Sequence, residues 1–148
     1  MKSLKTVNCA DAVWNEMDQN GNRFKIKPVV GLGESAKCAV HFVEVGPGNS
    51  SFGYHWHEAN EEVFYIISGE GVVRTNGSEV RVSAGDAITF PSGREGAHCI
   101  RNASASENLV YIDFDAVGAC DIAHLPDAKK IICSGPYSFG VFDEPRGK

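Results

Sequence analysis

The sequence predicts an all-β protein, a sandwich or barrel of short strands. Three observations carry that expectation. Short runs rich in Val, Ile, Phe and Tyr recur from Cys38 to Phe114. Gly, Pro and Asn-Gly turn signals separate them at close spacing, without the alternation of strand and helix patterns that marks βαβ units. Sixteen of the 148 residues are glycine, which suits a chain with many tight turns.

Taken in order, residues 8–19 read as a short helix. Asn8 or Asp11 offers a cap, Val13, Trp14 and Met17 form an apolar stripe, and Gly21 follows the end. Residues 23–30 read as extended, interrupted by Pro28. Cys38–Val45 is strand-like and stops at Gly46-Pro47-Gly48. Residues 54–57 form a short strand. Residues 62–68 form another, with Glu62, Phe64 and Ile66 on one face. Gly69-Glu70-Gly71 turns the chain. Residues 72–75 and 79–83 flank Asn76-Gly77, a strong hairpin signal because both residue types tolerate positive φ. Ala84-Gly85-Asp86 breaks the pattern, and Ala87–Phe90 is a strand ending at Pro91. A glycine-containing loop, residues 92–96, leads into a strand at 97–102. Residues 103–108 are a polar turn, and residues 109–114 a final strong strand. From Ala116 onward the pattern is less regular. Phe139 to Phe142 suits an edge strand, and residues 143–148 are expected to fray. The chain is expected to be one domain, with a core at about 38–115 and both ends packed on it. A chain of this length can bury roughly 68–70% of its unfolded surface, enough for a core without staples.

Composition excludes several function classes. Apolar residues make up 43% and charged residues 22%, an ordinary globular balance. Fourteen basic against 19 acidic residues leave a formal charge of −5. That surface repels phosphate backbones, so no nucleic acid partner is expected. No apolar run approaches a membrane span. The first nine residues carry no apolar signal-peptide core, so a cytoplasmic location is expected. Cys9, Cys38, Cys99, Cys120 and Cys133 are odd in number and show no C-x-x-C spacing. They read as reduced thiols, mostly buried as small apolar residues. Serine hydrolase, NTPase and dinucleotide-binding fingerprints are all lacking.

The chemistry concentrates at His55-Trp56-His57. Two histidines at i, i+2 on a strand face the same way, with Cβ atoms roughly 6–7 Å apart, close enough to share one metal ion. Glu62 and, on another strand, His98 would complete three nitrogens and one oxygen. Glu61 competes with Glu62, but strand parity favours Glu62. Such a set suits Fe(II), Mn(II), Ni(II), Cu(II) or Zn(II) and fits Ca(II) poorly. Four protein ligands close a tetrahedral zinc site but leave two positions in an octahedral one. Histidine must be neutral to ligate, so binding should weaken as pH falls through roughly 6.

These residues resemble the cupin superfamily over roughly residues 46–114. Its first motif runs here from Gly48 through His55-Trp56-His57 and Glu62 to Gly69, with Gly48 one residue too far from His55. The second runs from Gly85 through Pro91, Gly93 and His98 to Asn102, with two extra residues between Gly93 and His98. The resemblance implies a double-stranded β-helix, or jelly-roll barrel, often a homodimer. It also implies one divalent transition metal per chain held by His55, His57, Glu62 and His98. The expected partner is a small molecule: a sugar, a sugar derivative or a small carboxylic acid. The metal would serve as a Lewis acid or as a dioxygen site, in an isomerase, epimerase or dioxygenase. The competing expectation is a non-catalytic ligand-binding, sensing or metal-binding module, since fold does not fix function.

Other residues carry plainer expectations. Tyr54, Phe64, Tyr111 and Phe114 line the barrel mouth or belong to the core. Arg74 is a surface or ion-paired residue, or else faces inward to an anion. Arg94 and Glu95 are loop charges or rim contacts. Cys99 faces away from His98, into the core. His41 and His124 are structural or exposed, and Asn102 secures the turn after its strand.

Overall fold

The computed structural model describes residues 4–11, 13–31, 34–35 and 37–144. Among these it contains thirteen strands and one short 3-10 turn at Arg94–Gly96. The strands are β1 Asn15–Gln19, β2 Asn22–Val30, β3 Cys38–Val45, β4 Trp56–His57, β5 Glu61–Ser68, β6 Glu70–Thr75 and β7 Glu79–Ser83. They continue with β8 Ala87–Phe90, β9 His98–Asn102, β10 Leu109–Ala116, β11 Asp121–Leu125, β12 Lys130–Gly135 and β13 Ser138–Asp143. Three sheets result. The largest has the order β1-β2-β3-β10-β5-β8, the second β7-β6-β9, and the third β13-β12-β11-β4. The strand pairings among the described residues are antiparallel, and the architecture is an all-β jelly roll rather than one continuously hydrogen-bonded barrel.

Period-two alternation makes the core. Along β5 every second residue is buried: Glu62, Phe64 and Ile66 point in, while Val63, Tyr65 and Ile67 point out. β10 alternates likewise, with Leu109, Tyr111 and Asp113 inward. The inward residues of the large sheet meet Val73, Val82 and Ile100 of the three-stranded sheet in one cluster. Ser51 fills the same interior and hydrogen-bonds the buried Tyr111 hydroxyl at 2.8 Å. Turns hold the register. A Cβ on Gly69 (φ +82°) would lie 2.4 Å from the Asn108 carbonyl, so the turn between β5 and β6 requires glycine. Asn102 donates to the carbonyls of Val45 and Glu107, both at 2.8 Å, and accepts from the Ser104 N–H at 2.8 Å. That is the turn-securing role expected of it.

Among the described residues, the expected N-terminal helix does not form. Residues 15–19 form β1, hairpinned onto β2 with Gln19 opposite Asn22. The cause is Asn20-Gly21: both residues take positive φ, 55° and 86°, the conformation of a two-residue hairpin turn. The apparent helical stripe is not a buried face, because Val13 is 84% exposed and only Met17 packs on the core. The other Asn-Gly hairpin forms where expected, between β6 and β7, with only Gly77 at positive φ. The tail is also more regular than expected. β11, β12 and β13 form a meander that adds to β4, with β13 as the edge strand. Burial alternates along β11, but β12 is half-buried throughout and β13 is mostly exposed. Of the expected fraying end, residues 145–148 lie outside the described residues.

Candidate metal centre

Four elements bring the sequence-selected residues together. His55 and His98 are an antiparallel pair, each backbone N–H donating to the other's carbonyl at 2.9 Å. His57 lies on β4, where it pairs with Ala123 of β11. Glu62 opens β5 and stands opposite Asp115 on β10 and Phe90 on β8. Glu61 is exposed, so parity selects Glu62 as the inward carboxylate.

The imidazoles point their Nε2 atoms at that carboxylate. The distances to Glu62 oxygens are 3.3 Å from His98, 3.7 Å from His55 and 3.7 Å from His57. Each Nδ1 is engaged behind the ring: His55 with the Gly53 carbonyl at 3.0 Å, His98 with the Gly96 carbonyl at 2.8 Å, and His57 with Asp121 Oδ2 at 2.5 Å. Carbonyl oxygens only accept, so Nδ1–H donates, and a neutral ring then presents its Nε2 lone pair to the shared space. The Nε2 of His98 is buried and has no hydrogen-bond partner. Metal–ligand bonds of about 2.0–2.2 Å place neighbouring ligand atoms about 3 Å apart, so modest inward movement closes this set around an ion. His55, Glu62 and His98 offer ligand atoms within 4.8 Å of one another, and His57 and Glu62 do so together with Asp115.

Packing fixes the ring of His98. Phe90 stacks on it at 3.6 Å between centroids, and Phe64 meets it edge-on at 5.3 Å. Burial and the neighbouring His55 lower its pKa to about 4. Burial also disfavours charge on Glu62, but His55, His98 and His57 outweigh it and hold the carboxyl well below the usual range. For His57, burial is likewise overcome, by Asp121 and Glu62, and the pKa is raised.

Three side chains beside the centre, Asp121, Asp115 and Trp56, were given no role by the sequence reading. Asp121 holds His57 and also accepts the backbone N–H groups of Ala59 at 2.8 Å and Asn60 at 3.2 Å, which keeps its pKa low against the cost of burial. Its place in the tail gave no motif to follow. Asp115 adjoins Glu62, and burial together with that carboxylate raises its pKa to about 7. Asp113 and Asp115 share the inward parity of Tyr111, so a charged pair at core-facing positions was the available signal. Trp56 stacks on His124 at 3.9 Å, and His124 is held by Glu58 at 2.8 Å. The Arg94 guanidinium lies 5.7 Å from the Trp56 ring.

The remaining expectations divide. Phe64 and Tyr111 are core, whereas Phe114 is exposed on the outer sheet face. Arg74 is ion-paired at the surface, bound to both Asp127 oxygens and lying over the Tyr54 ring at 4.0 Å. Cys99 faces away from the centre as expected but is not core: it lines a surface cavity of about 380 Å³ with Tyr54 and Arg74. His41 is half-buried beside Asp113.

Comparison with known proteins places the fold. An oxalate-binding protein of Thermotoga maritima is 45% identical over 56 residues, which are 38% of this chain and 45% of that protein's length. The chain thus spans less than half of this relative. A proposed sugar phosphate isomerase of Acidithiobacillus ferrooxidans superposes with a TM-score of 0.80 at 21% identity, covering 93% of this chain and 91% of the other. A cupin-superfamily sugar phosphate isomerase of Silicibacter pomeroyi gives 0.73 at 18% identity, covering 82% and 76%. Identities this low speak for the fold alone. Residues 41–115 match the cupin domain family over just over half of the 148-residue chain, and the chain belongs to that family.

Proposed function

We propose that this cupin binds one divalent transition metal through His55, His57, Glu62 and His98, and that the site acts on a small molecule. The observation that carries the reading is the convergence of three imidazole Nε2 atoms on one buried carboxylate, each ring oriented by an acceptor at Nδ1. A sugar, a sugar derivative or a small carboxylic acid is the proposed ligand class; relatives named for oxalate binding and sugar phosphate isomerisation support it. When bound, the metal would supply Lewis acidity toward a substrate oxygen, or a dioxygen site if it is iron. The chain's own residues would do the rest. Asp121 orients His57, and Phe64 and Phe90 exclude water from His98. Trp56 and Arg94 would form the rim. A non-catalytic binding module is the second reading, favoured by the binding-protein relative.

We place the protein in the cytoplasm as a homodimer. The five free cysteines support a reducing compartment. The exposed row Val63, Tyr65, Ile67 and Phe114 on the outer face of the large sheet supports self-association. Elemental analysis after metal-replete expression tests the site: stoichiometric metal in the parent chain and its loss in His57→Ala and Glu62→Ala are expected. Folded parent protein without metal would overturn the reading. Turnover of sugars, sugar phosphates and small dicarboxylates under Fe, Mn, Ni and Zn separates enzyme from binder.

A further inference from the structure

A second group with ligand chemistry lies beside the first, on the inward face of the large sheet. In the register of β3 and β10, His41 stands opposite Asp113. Asp115, two residues along β10, shares the face of Asp113. His41, Asp113 and Asp115 each offer a ligand atom within 4.8 Å of the others. Asp113 is only 3% exposed, yet its Oδ1 has no hydrogen-bond partner, and neither has the buried Nδ1 of His41. Leaving buried polar atoms unpaired is costly, and native structures rarely tolerate two on facing residues.

We propose that His41, Asp113 and Asp115 form a second divalent-cation site, separate from the four-residue group and bordering it. A cation there would give a partner to each of the two orphaned side chains. Burial lowers the pKa of His41, which leaves the neutral imidazole that ligation needs. Burial raises that of Asp113, so without a cation its carboxyl holds a proton that the cation displaces. Two carboxylates and one imidazole are a harder donor set than three imidazoles and one carboxylate. The site should therefore favour Cu(II) over Mn(II) by a smaller margin than its neighbour does. Asp115 also offers an oxygen within 4.8 Å of His57 and Glu62, so the two sites touch through one side chain. The second site is independent of the reading of the four-residue group and stands or falls separately.

The test is titration of the chelator-stripped full chain with MnCl2, by calorimetry and by equilibrium dialysis with elemental analysis. Parent protein, Asp113→Asn, His41→Gln and His98→Gln are compared, with folding checked by near-UV circular dichroism. The expected result is a second Mn(II) equivalent in the parent that disappears in Asp113→Asn and in His41→Gln but persists in His98→Gln. Using two variants of the second site guards against one failing to fold. A parent count unchanged by both Asp113→Asn and His41→Gln would overturn the second site. If His98→Gln changes nothing while those two variants lose their only equivalent, the second site stands and the four-residue site falls. No Mn(II) uptake by the folded parent would overturn both.

Discussion

His98 is the most constrained residue of the centre, stacked on Phe90 and turned by the Gly96 carbonyl. Its pKa of about 4 lies below the ordinary 6.5, so the folded state binds this proton less tightly than the unfolded state does. The stability it contributes is therefore complete above about pH 6.5 and is lost as pH falls toward 4. The difference is worth about 3 kcal/mol in the metal-free protein. Urea unfolding of metal-free parent and His98→Gln at pH 4.5 and pH 7 reads it: the parent should lose more stability on acidification than the variant. Asp121 carries the second residue-scale prediction. Asp121→Asn weakens the acceptor at His57 Nδ1 and should lower metal affinity by about 10–100-fold, measured by chelator competition, while the fold persists. The four ligand candidates were legible because i, i+2 spacing and strand parity are local properties. Asp121 was not, because what joins it to His57 is the pairing of β11 with β4, which no local pattern encodes.

At the scale of elements, two glycine turns decide geometry. A Cβ on Gly96 would sit 1.8 Å from the Pro91 carbonyl oxygen, so Gly96→Ala must displace the loop whose Gly96 carbonyl orients His98. A cost of about 1–3 kcal/mol in stability is expected, with a fall in metal affinity alongside it. Gly21, at φ +86° with open space around it, is a purer case. Gly21→Ala should cost about 1–2 kcal/mol by urea denaturation, and Gly21→Asn less, with no effect on metal uptake. The strands from β3 to β10 were legible from alternation and turn residues, down to the bounds of β3 and β8. The first hairpin was misread because Asn20-Gly21 serves equally as a helix stop and as a hairpin turn in sequence. What separates the two is that Met17 finds Phe24 across a strand pair. Of the tail meander, the edge strand β13 was legible at Phe139 to Phe142, whereas β11 and β12 were not, β12 being half-buried throughout.

For the whole molecule, the jelly roll works by putting one inward-facing residue set from several strands around one space. Most of those residues are apolar; of the buried polar ones, Ser51 and Asn102 serve the core and a turn, while His55, Glu62, His98, Asp113 and Asp121 lie in or beside the candidate centre. Natural cores give up apolar packing where function requires it, and this group of buried charged and imidazole side chains is the departure on which the proposed metal site rests. The tail sheet belongs to that arrangement, since β11 brings Asp121 to the centre. The central claim is that His55, His57, Glu62 and His98 share one metal. Anomalous diffraction from crystals of the metal-loaded protein tests it most directly. The account predicts a peak at about 2.0–2.2 Å from the Nε2 atoms of all three histidines and a Glu62 oxygen. A metal-saturated crystal with no peak among these four side chains would contradict it.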